Sequence, residues 1–246
     1  MRGGSPLFGF CQLCSNNRLI CTIVFWFLLP AVIGQTAGPK QVLIVVGPSS
    51  HPPGTHEVGA GARVIAYCAE HAGLVDKLEA TIVEGWPTNK SLIESANTIV
   101  FSGDRFPLAE MPETERNMAE LKTAMERGCG IVCFHYATGL TKGQMPDDGS
   151  HPLLDWMGGY FATRCVHHQS VAKIFEAAKI ELPENGHPIL RGCQSFTIHD
   201  EPYIKNYFGP QGIAKNVTPL ATSMLPPEDP HEEIVAWATQ RENGGR

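Results

Sequence analysis

The chain lacks an excess of positive charge, and this absence disfavours nucleic acid as its partner. Its 246 residues carry 19 Lys and Arg against 25 Asp and Glu, a formal net charge of −6. The only charges in residues 1–34 are Arg2 and Arg18, so the remainder is more acidic still. Proteins that bind nucleic acid hold its phosphates largely through basic side chains. The sequence therefore favours a small-molecule partner.

Cysteine pairs with the spacing of a zinc knuckle are also absent. Three of the eight cysteines fall in the first 34 residues, and the odd number left is Cys68, Cys129, Cys133, Cys165 and Cys193. An export compartment permits one or two disulfides, but Cys129 and Cys133 would lie along one strand, too far apart to bridge. Most of the five are predicted to be small core residues.

The N-terminal stretch has no apolar run of the roughly 20 residues that a membrane span needs. Its run over residues 19–33, broken only by Thr22 and Pro30, suits the apolar region of a secretory signal, with cleavage predicted before Gln35. The alternative is an uncleaved N-terminal anchor, because the region before the run is long for a signal peptide. Either interpretation places the folded part outside the cytoplasm, periplasmic or secreted, and touching a membrane only through residues 1–34.

Apolar runs alternate with helical patterns in the first half of the chain. Strands are predicted at 41–46, 80–83, 97–101 and from 130 onwards. One helix is predicted at about 60–72 with Val64, Ile65 and Cys68 on its apolar face, and another begins near Pro112 with Met118, Leu121 and Met125 in one stripe. This alternation predicts an α/β fold, a doubly wound, mostly parallel sheet flanked by helices.

The pattern weakens after Gly139. A short helix is predicted over residues 150–157, stopped by Gly158 and Gly159, and short strands are predicted at 170–175, 196–198, 219–222 and 234–238.

Polar side chains follow the predicted strands, where ligands bind in folds of this kind. His51, His56 and Glu57 come after the first strand, Asp104 and Arg105 after the third, and His135 after the fourth. The later half adds His167, His168 and the run His199-Asp200-Glu201-Pro202-Tyr203. Because parallel strands end at one edge of the sheet, we expect these groups to form one site.

Several interpretations of these groups stay open. His135 is either a polar cap of a core strand or a reactive group. His56-Glu57 fits a metal site, a substrate-binding loop or a helix cap, and it is not the zinc-protease motif because residue 60 is Ala60. The run 199–203 has the residue types of general acid–base chemistry, although at most two of its three charged or imidazole groups should share a pocket.

In order along the chain, these motifs resemble the ThuA-like family, named for trehalose utilisation, over residues 40–246. The family belongs to the class I glutamine-amidotransferase-like superfamily, whose core is flavodoxin-like. The matching motifs are His56-Glu57, residues 130–139 with His135, Gly158-Gly159-Tyr160-Phe161, His168, Gly186-His187-Pro188-Ile189, Asp200-Glu201-Pro202-Tyr203 and Val235-Ala236-Trp237.

The resemblance implies a role in sugar metabolism, with keto-sugars as substrates and a divalent metal such as zinc as the only cofactor. The superfamily's nucleophilic cysteine sits in a G-x-C-x-G turn, whereas this chain reads Phe-His-Tyr-Ala-Thr-Gly around His135, so cysteine-dependent amidotransferase chemistry is not expected. The family's pattern continues with a further strand and a Gly-His turn, so we expect the domain to be truncated at its C-terminus and to lack a sheet strand.

The leading hypothesis is an exported enzyme acting on a sugar or keto-sugar. His135 would serve as acid–base or metal ligand, with Glu201 as its carboxylate partner. Substrate contacts are expected from His56, Glu57, Asp104, His168, Asp200 and Tyr203, and the metal-ligand candidates are His56, His135 and His168. A non-catalytic carbohydrate-binding module is the alternative, and a metal-dependent hydrolase of another ester or amide is a third. The sequence determines neither the sugar nor the oligomeric state.

Overall fold

The computed structural model of the protein describes residues 38–73, 77–184 and 186–246. The predicted signal or anchor at residues 1–34 lies outside these ranges. Within them, no helix combines the length and the apolar content needed to cross a bilayer. The strands are β1 (Lys40–Val46), β2 (Leu78–Glu84), β3 (Thr98–Ser102), β4 (Gly130–Phe134), β5 (Gly139–Thr141), β6 (Phe161–Thr163), β7 (Phe175–Ile180), β8 (Phe196–Asp200), β9 (Val217–Leu225) and β10 (His231–Thr239). The α-helices are α1 (Val58–Glu70), α2 (Lys90–Ser95), α3 (Thr114–Glu126) and α4 (Pro152–Met157).

A four-stranded parallel sheet in the order β2-β1-β3-β4 forms the centre of the described domain. Ile44 in β1 lies between Ile82 in β2 and Val100 in β3, so apolar residues share a face across neighbouring strands. The strand order reverses between β1 and β3, which is the arrangement of a doubly wound fold. The fold class predicted from the sequence is confirmed.

Helices cover both faces of this sheet. On one face Ala62 and Ala66 of α1 pack against Ile44, Val46 and Val100. On the other face Leu121 and Met125 of α3 belong to the large core cluster. Because helices cover both faces of the sheet, β1 and β3 are buried on both sides. This explains why their sequences are continuous apolar runs.

The apolar face predicted for α1 is wrong in two of its three residues. Ile65 is half-buried, but Val64 is 62% exposed and Cys68 is exposed. The buried residues are the small Ala62 and Ala66, which let the helix axis approach the sheet closely. The positions of the large apolar residues therefore do not indicate the buried face of this helix.

The stripe predicted for α3 is confirmed, with Leu121 and Met125 buried and Met118 partly buried against the same cluster. In contrast, the sequence does not predict α2, because its six residues show no helical period and no glycine follows them as Gly158 follows α4. Its N-terminus is capped by the Asn89 side chain, which accepts a hydrogen bond from the Ser91 backbone N–H (3.1 Å).

The second half of the chain forms small antiparallel pairs, β7 with β8 and β9 with β10, and a parallel pair of β5 with β6. The strand predicted at 170–175 is wrong in position, because the regular strand begins at Phe175 and Val171 makes only an isolated bridge to Ile204. The short helix is confirmed as α4, which ends at Gly158 with φ = +79°. The other predicted strands are confirmed but longer.

The five cysteines of the described residues are all free. Cys129 is buried and Cys133 and Cys165 are partly buried, as expected for core residues. Cys68 and Cys193 are exposed, so three of the five are core residues, in agreement with the prediction for most of them.

Candidate functional site

The site is built around Asp104, at the point where the loops after β1 and β3 meet. The loops touch through two glycines, and a Cβ atom on Gly103 would lie 3.1 Å from the Gly47 Cα. This close approach places the loop after β1 over the Asp104 carboxylate, which is buried at 6% exposure. Without glycine at these two positions, the loops would have to separate.

Four residues of the loop after β1 bond to the Asp104 carboxylate. Its Oδ2 accepts from the Ser50 backbone N–H (2.6 Å) and from the Ser49 and Ser50 hydroxyls (3.2 Å each). His51 Nδ1 lies 2.6 Å from Oδ2, and His56 Nδ1 lies 3.0 Å from Oδ1. One carboxylate therefore fixes the orientation of two imidazoles.

The charge of Asp104 also determines which ring nitrogen carries the proton. Burial alone would raise the pKa of this carboxyl, but hydrogen bonds from His56, the Ser50 N–H and His51 hold the pKa far below its ordinary value. An ionised carboxylate only accepts hydrogen bonds, so His51 and His56 both donate through Nδ1. Each neutral ring then keeps its Nε2 lone pair for a proton or a metal ion.

His135 begins the turn that follows β4, and its backbone has left the strand conformation. Its φ is +49°, in the left-handed region that costs a non-glycine residue about 1 kcal/mol or more. The simple strand alternation that would place Cys133 and His135 on the same face therefore does not hold at His135. Cys133 packs against the core, and burial raises the pKa of its thiol. His135 is not a buried strand cap, since its side chain is 42% exposed.

The left-handed turn brings His135 to both His56 and Glu201. The ring centroids of His56 and His135 are 5.1 Å apart, and His135 Nε2 lies 3.8 Å from Glu201 Oε2. Partial burial and the neighbouring His56 lower the pKa of His135, although Glu201 opposes this shift. The imidazole is therefore biased toward its neutral form, with one nitrogen free to bind a proton or a cation.

Two groups of side chains can hold a metal ion. In the first group, His56, His135 and Glu201, the ligand atoms all lie within 4.8 Å of one another. The second, His51, His56 and Asp104, meets the same limit. Both groups offer two imidazoles and a carboxylate, a common donor set that leaves positions open for a substrate. The first fits a divalent ion such as zinc better, because its carboxylate, Glu201, does not orient the other two ligands. In the second group, Asp104 is already engaged in orienting the two rings, as a supporting carboxylate does around a metal site.

Tyr203 covers one side of His135. The two ring centroids are 4.3 Å apart, and the phenol oxygen lies 3.5 Å from His135 Nδ1. Burial and the nearby Glu201 carboxylate raise the pKa of the Tyr203 phenol. The phenol therefore stays protonated and can donate a hydrogen bond.

Several of the predicted polar residues lie outside this cluster, among them Glu57, His168, His199 and Asp200. Glu57 turns back to its own loop, where Oε1 accepts from the Gly54 N–H (2.6 Å). Asp200 Oδ1 accepts a hydrogen bond from the Glu201 backbone N–H (2.8 Å). His168 Nε2 lies 2.7 Å from the Lys205 carbonyl oxygen. His199 is exposed and lies 3.9 Å from Glu176. His168 is thus not brought to the metal-binding atoms, and only one of the three charged or imidazole groups in residues 199–201 enters the cluster.

His51 also belongs to the site, although it is not among the catalytic, substrate or metal residues that the sequence predicts. It stacks on His56 with centroids 3.9 Å apart, and its side chain is 37% exposed. The signal that could have found it is the paired imidazole spacing in a loop that also carries Ser49 and Ser50, directly after a buried strand.

Comparisons with known proteins support the fold. No family model and no curated protein matches the chain. Among solved structures, the chain is similar to a protein from Bacteroides uniformis ATCC 8492 described as ThuA-like, with 17% identity and a TM-score of 0.55, covering 82% of this chain and 79% of that one. A protein from Parabacteroides merdae ATCC 43184, also described as ThuA-like, matches with 16% identity and a TM-score of 0.50, covering 83% and 76%. These identities are low, so the likeness shows a shared fold, and the resemblance predicted from the sequence is supported at that level.

Proposed function

We propose that this protein is a ThuA-like, metal-dependent enzyme that acts on a sugar or keto-sugar. The observation that carries this proposal is the convergence of His56, His135 and Glu201, whose ligand atoms lie within 4.8 Å of one another although they come from three distant parts of the chain. The sugar class rests on the fold shared with two proteins described as ThuA-like. Export, predicted from residues 1–34, is part of the same proposal.

The three ligands would hold a divalent cation at the carboxyl ends of β1 and β4. The chemistry that such a cation supplies, when bound, is polarisation of a carbonyl or hydroxyl oxygen of the substrate. His56 suits this role because its Nδ1 is fixed by Asp104, which leaves Nε2 to bind.

Two further groups would move or hold protons beside the ligands. His51 forms a dyad with Asp104, which orients the ring and would stabilise a positive charge formed on it, so its exposed Nε2 suits a general base. The Tyr203 phenol, kept neutral, would donate a hydrogen bond to an oxygen that gains negative charge. These two roles fit two types of reaction on the sugar. One is removal of a proton from the carbon next to a carbonyl group, and the other is activation of a hydroxyl group.

A two-part assay tests the proposal. Zinc binding is measured by competition with a chelating dye, and product formation is measured with disaccharides and their keto derivatives. We expect His135→Ala to abolish turnover while leaving the circular dichroism spectrum unchanged, and His199→Ala, an exposed histidine outside the cluster, to behave as wild type. Full turnover in His135→Ala would contradict the proposal.

The assay also separates the proposal from a non-catalytic carbohydrate-binding module. If the protein binds sugars but releases no product at any zinc concentration, the enzyme assignment is wrong and the module is favoured.

A further inference from the structure

A cavity of about 530 Å³ is lined in part by residues that follow members of the candidate site in the chain. Its walls include Arg105, Tyr136, Lys142, Thr163 and Arg164. Arg105 and Tyr136 are the residues that follow Asp104 and His135, and neighbouring Cα atoms lie about 3.8 Å apart. On two loops, therefore, consecutive residues contribute to the candidate site and to the cavity wall.

The cavity has a strong local excess of positive charge. Three of its lining residues are cations, Arg105, Lys142 and Arg164. Arg105 pairs with Glu110 (3.1 Å), whereas Lys142 and Arg164 make no ion pair among the described residues. The formal local charge is therefore +2 when Glu110 is counted, in a chain whose net charge is −6. A basic cavity on an acidic protein attracts anions selectively.

Glu110 also orients the Arg105 guanidinium for binding. Its Oε1 accepts hydrogen bonds from Arg105 and from the Gln144 side chain (2.7 Å), which fixes the guanidinium in place. An arginine held in this way offers its remaining N–H groups as a planar fork that matches an oxyanion.

The backbone directs neighbouring side chains into the two compartments. Arg105, His135 and Arg164 all have left-handed φ values, of +64°, +49° and +53°. Arg105 and His135 are the residues at which the chain passes between the cluster and the cavity wall. Asp104 can then face the histidines while Arg105 lines the cavity.

Tyr136 connects the cavity to the cluster. Its hydroxyl lies 2.7 Å from the Thr163 Oγ1, and its ring packs edge-on against Tyr203, which covers His135. The ring can adopt this position because residue 139 is glycine, since a Cβ atom there would lie 2.2 Å from the Tyr136 ring.

We propose that this cavity binds a phosphoryl group of the substrate, so that the sugar acted on at the His56–His135–Glu201 cluster is phosphorylated. This proposal rests on the proposed function, which places the reacting end of the substrate at the cluster. A phosphate monoester carries a charge of about −1.5 to −2 at pH 7, which matches the +2 of the cavity. The volume is within the range of about 300 to 1,000 Å³ that small-molecule pockets span.

Calorimetric titrations of the chelator-treated protein at constant ionic strength test the proposal. The probes are inorganic phosphate, glucose 6-phosphate, glucuronate and glucose. We expect glucose 6-phosphate to bind more tightly than glucuronate, and glucose to bind most weakly. Tighter binding of glucuronate would overturn the assignment to a phosphoryl group, because it would indicate a carboxylate subsite.

Paired variants locate the bound anion. The double variant Lys142→Gln/Arg164→Gln should weaken phosphate binding by about tenfold or more, since each removes a charge-assisted contact. The control Arg63→Gln/Lys122→Gln removes two exposed cations from other helices and should bind as wild type. Equal affinity in both double variants would overturn the proposal.

The variant His56→Ala/His135→Ala separates this proposal from the proposed function. It should lose zinc binding and keep phosphate binding, whereas Lys142→Gln/Arg164→Gln should do the reverse. Loss of phosphate binding only in the histidine variant would place the anion at the cluster and overturn the cavity assignment. Phosphate binding that depends on Lys142 and Arg164, together with no zinc binding in any protein, would leave the cavity assignment standing and refute the metal site.

Discussion

Asp104 is the residue on which the geometry of the site depends. It fixes His51 and His56 through opposite carboxylate oxygens and determines that both rings donate through Nδ1. The sequence predicts its place, because it follows a buried strand in a parallel sheet. The sequence also predicts that His51 and His56 lie in the same site, but not that both rings bond to this carboxylate, because the direction of a side chain in a loop depends on backbone angles that no local pattern reveals.

Replacement of Asp104 by asparagine should weaken zinc binding by about 10- to 100-fold, which is the usual effect of losing a carboxylate that orients a metal-binding histidine. The amide cannot accept from both imidazoles with full negative charge, so the rings lose their fixed tautomer. Zinc affinity from dye competition provides the measurement. Asp147→Asn, at an exposed position, is the control, and equal affinities in the two variants would contradict the role of Asp104.

Tyr203→Phe should lower kcat by about 100-fold, a typical loss when one hydrogen-bond donor to a developing negative charge is removed. Zinc affinity should stay within about twofold of wild type, because the phenol is not one of the three ligands. Steady-state kinetics and the dye titration give the two values. If kcat is unchanged, Tyr203 only packs against His135.

At the scale of single elements, the sequence predicts those whose length or burial leaves a clear period. β1, β3 and α3 are confirmed because they are buried on both faces or carry a regular stripe. The sequence predicts α1, but it places the buried face on residues larger than the alanines that pack against the sheet. It does not predict α2, because its six residues show no helical period and its cap at Asn89 is the only local signal.

α4 provides a pH-dependent test of an element. His151 caps it by accepting a hydrogen bond from the Leu153 N–H through Nδ1 (3.2 Å), and burial lowers the pKa of His151 to about 4 from an ordinary value of 6.5. Protonation removes the acceptor, so the folded state prefers the neutral ring. This contribution to stability is complete above pH 6.5, decreases as the pH falls and is lost below about pH 4.

The variant His151→Asn keeps a capping side chain that does not titrate. Between pH 7 and pH 4.5, wild type should lose about 1–3 kcal/mol more unfolding free energy than this variant. Urea denaturation at both pH values measures the difference, and His231→Asn, at an exposed histidine, is the control. Parallel losses in wild type and His151→Asn would show that this histidine does not titrate with folding.

At the scale of the whole domain, the C-terminal segment ties the late strands to the parallel-sheet half. The Arg241 guanidinium donates hydrogen bonds to the carbonyls of Trp156 in α4 and Cys129 before β4, and the residue is only 9% exposed. Such long-range contacts explain why the assembly of the second half could not be predicted. Its short strands were visible in the sequence, but not their partners.

Arg241→Met should lower the free energy of unfolding by about 2–4 kcal/mol, because two carbonyls lose their donor in a buried position. The replacement keeps much of the side-chain volume, so a loss reports the hydrogen bonds more than a cavity. Urea denaturation measures it. Arg191→Met, at an exposed arginine, should change stability by no more than about 0.5 kcal/mol, and an equally small effect of Arg241→Met would contradict this role.

The measurement that tests the central claim most directly is the zinc stoichiometry and affinity of a set of single variants. The convergence of His56, His135 and Glu201 predicts one tightly bound zinc ion per chain, lost in His56→Ala, His135→Ala and Glu201→Gln. It also predicts unchanged binding in His168→Ala and Glu57→Gln, whose side chains point to other partners. Zinc binding that survives all three cluster variants, or that disappears in His168→Ala alone, would contradict the account.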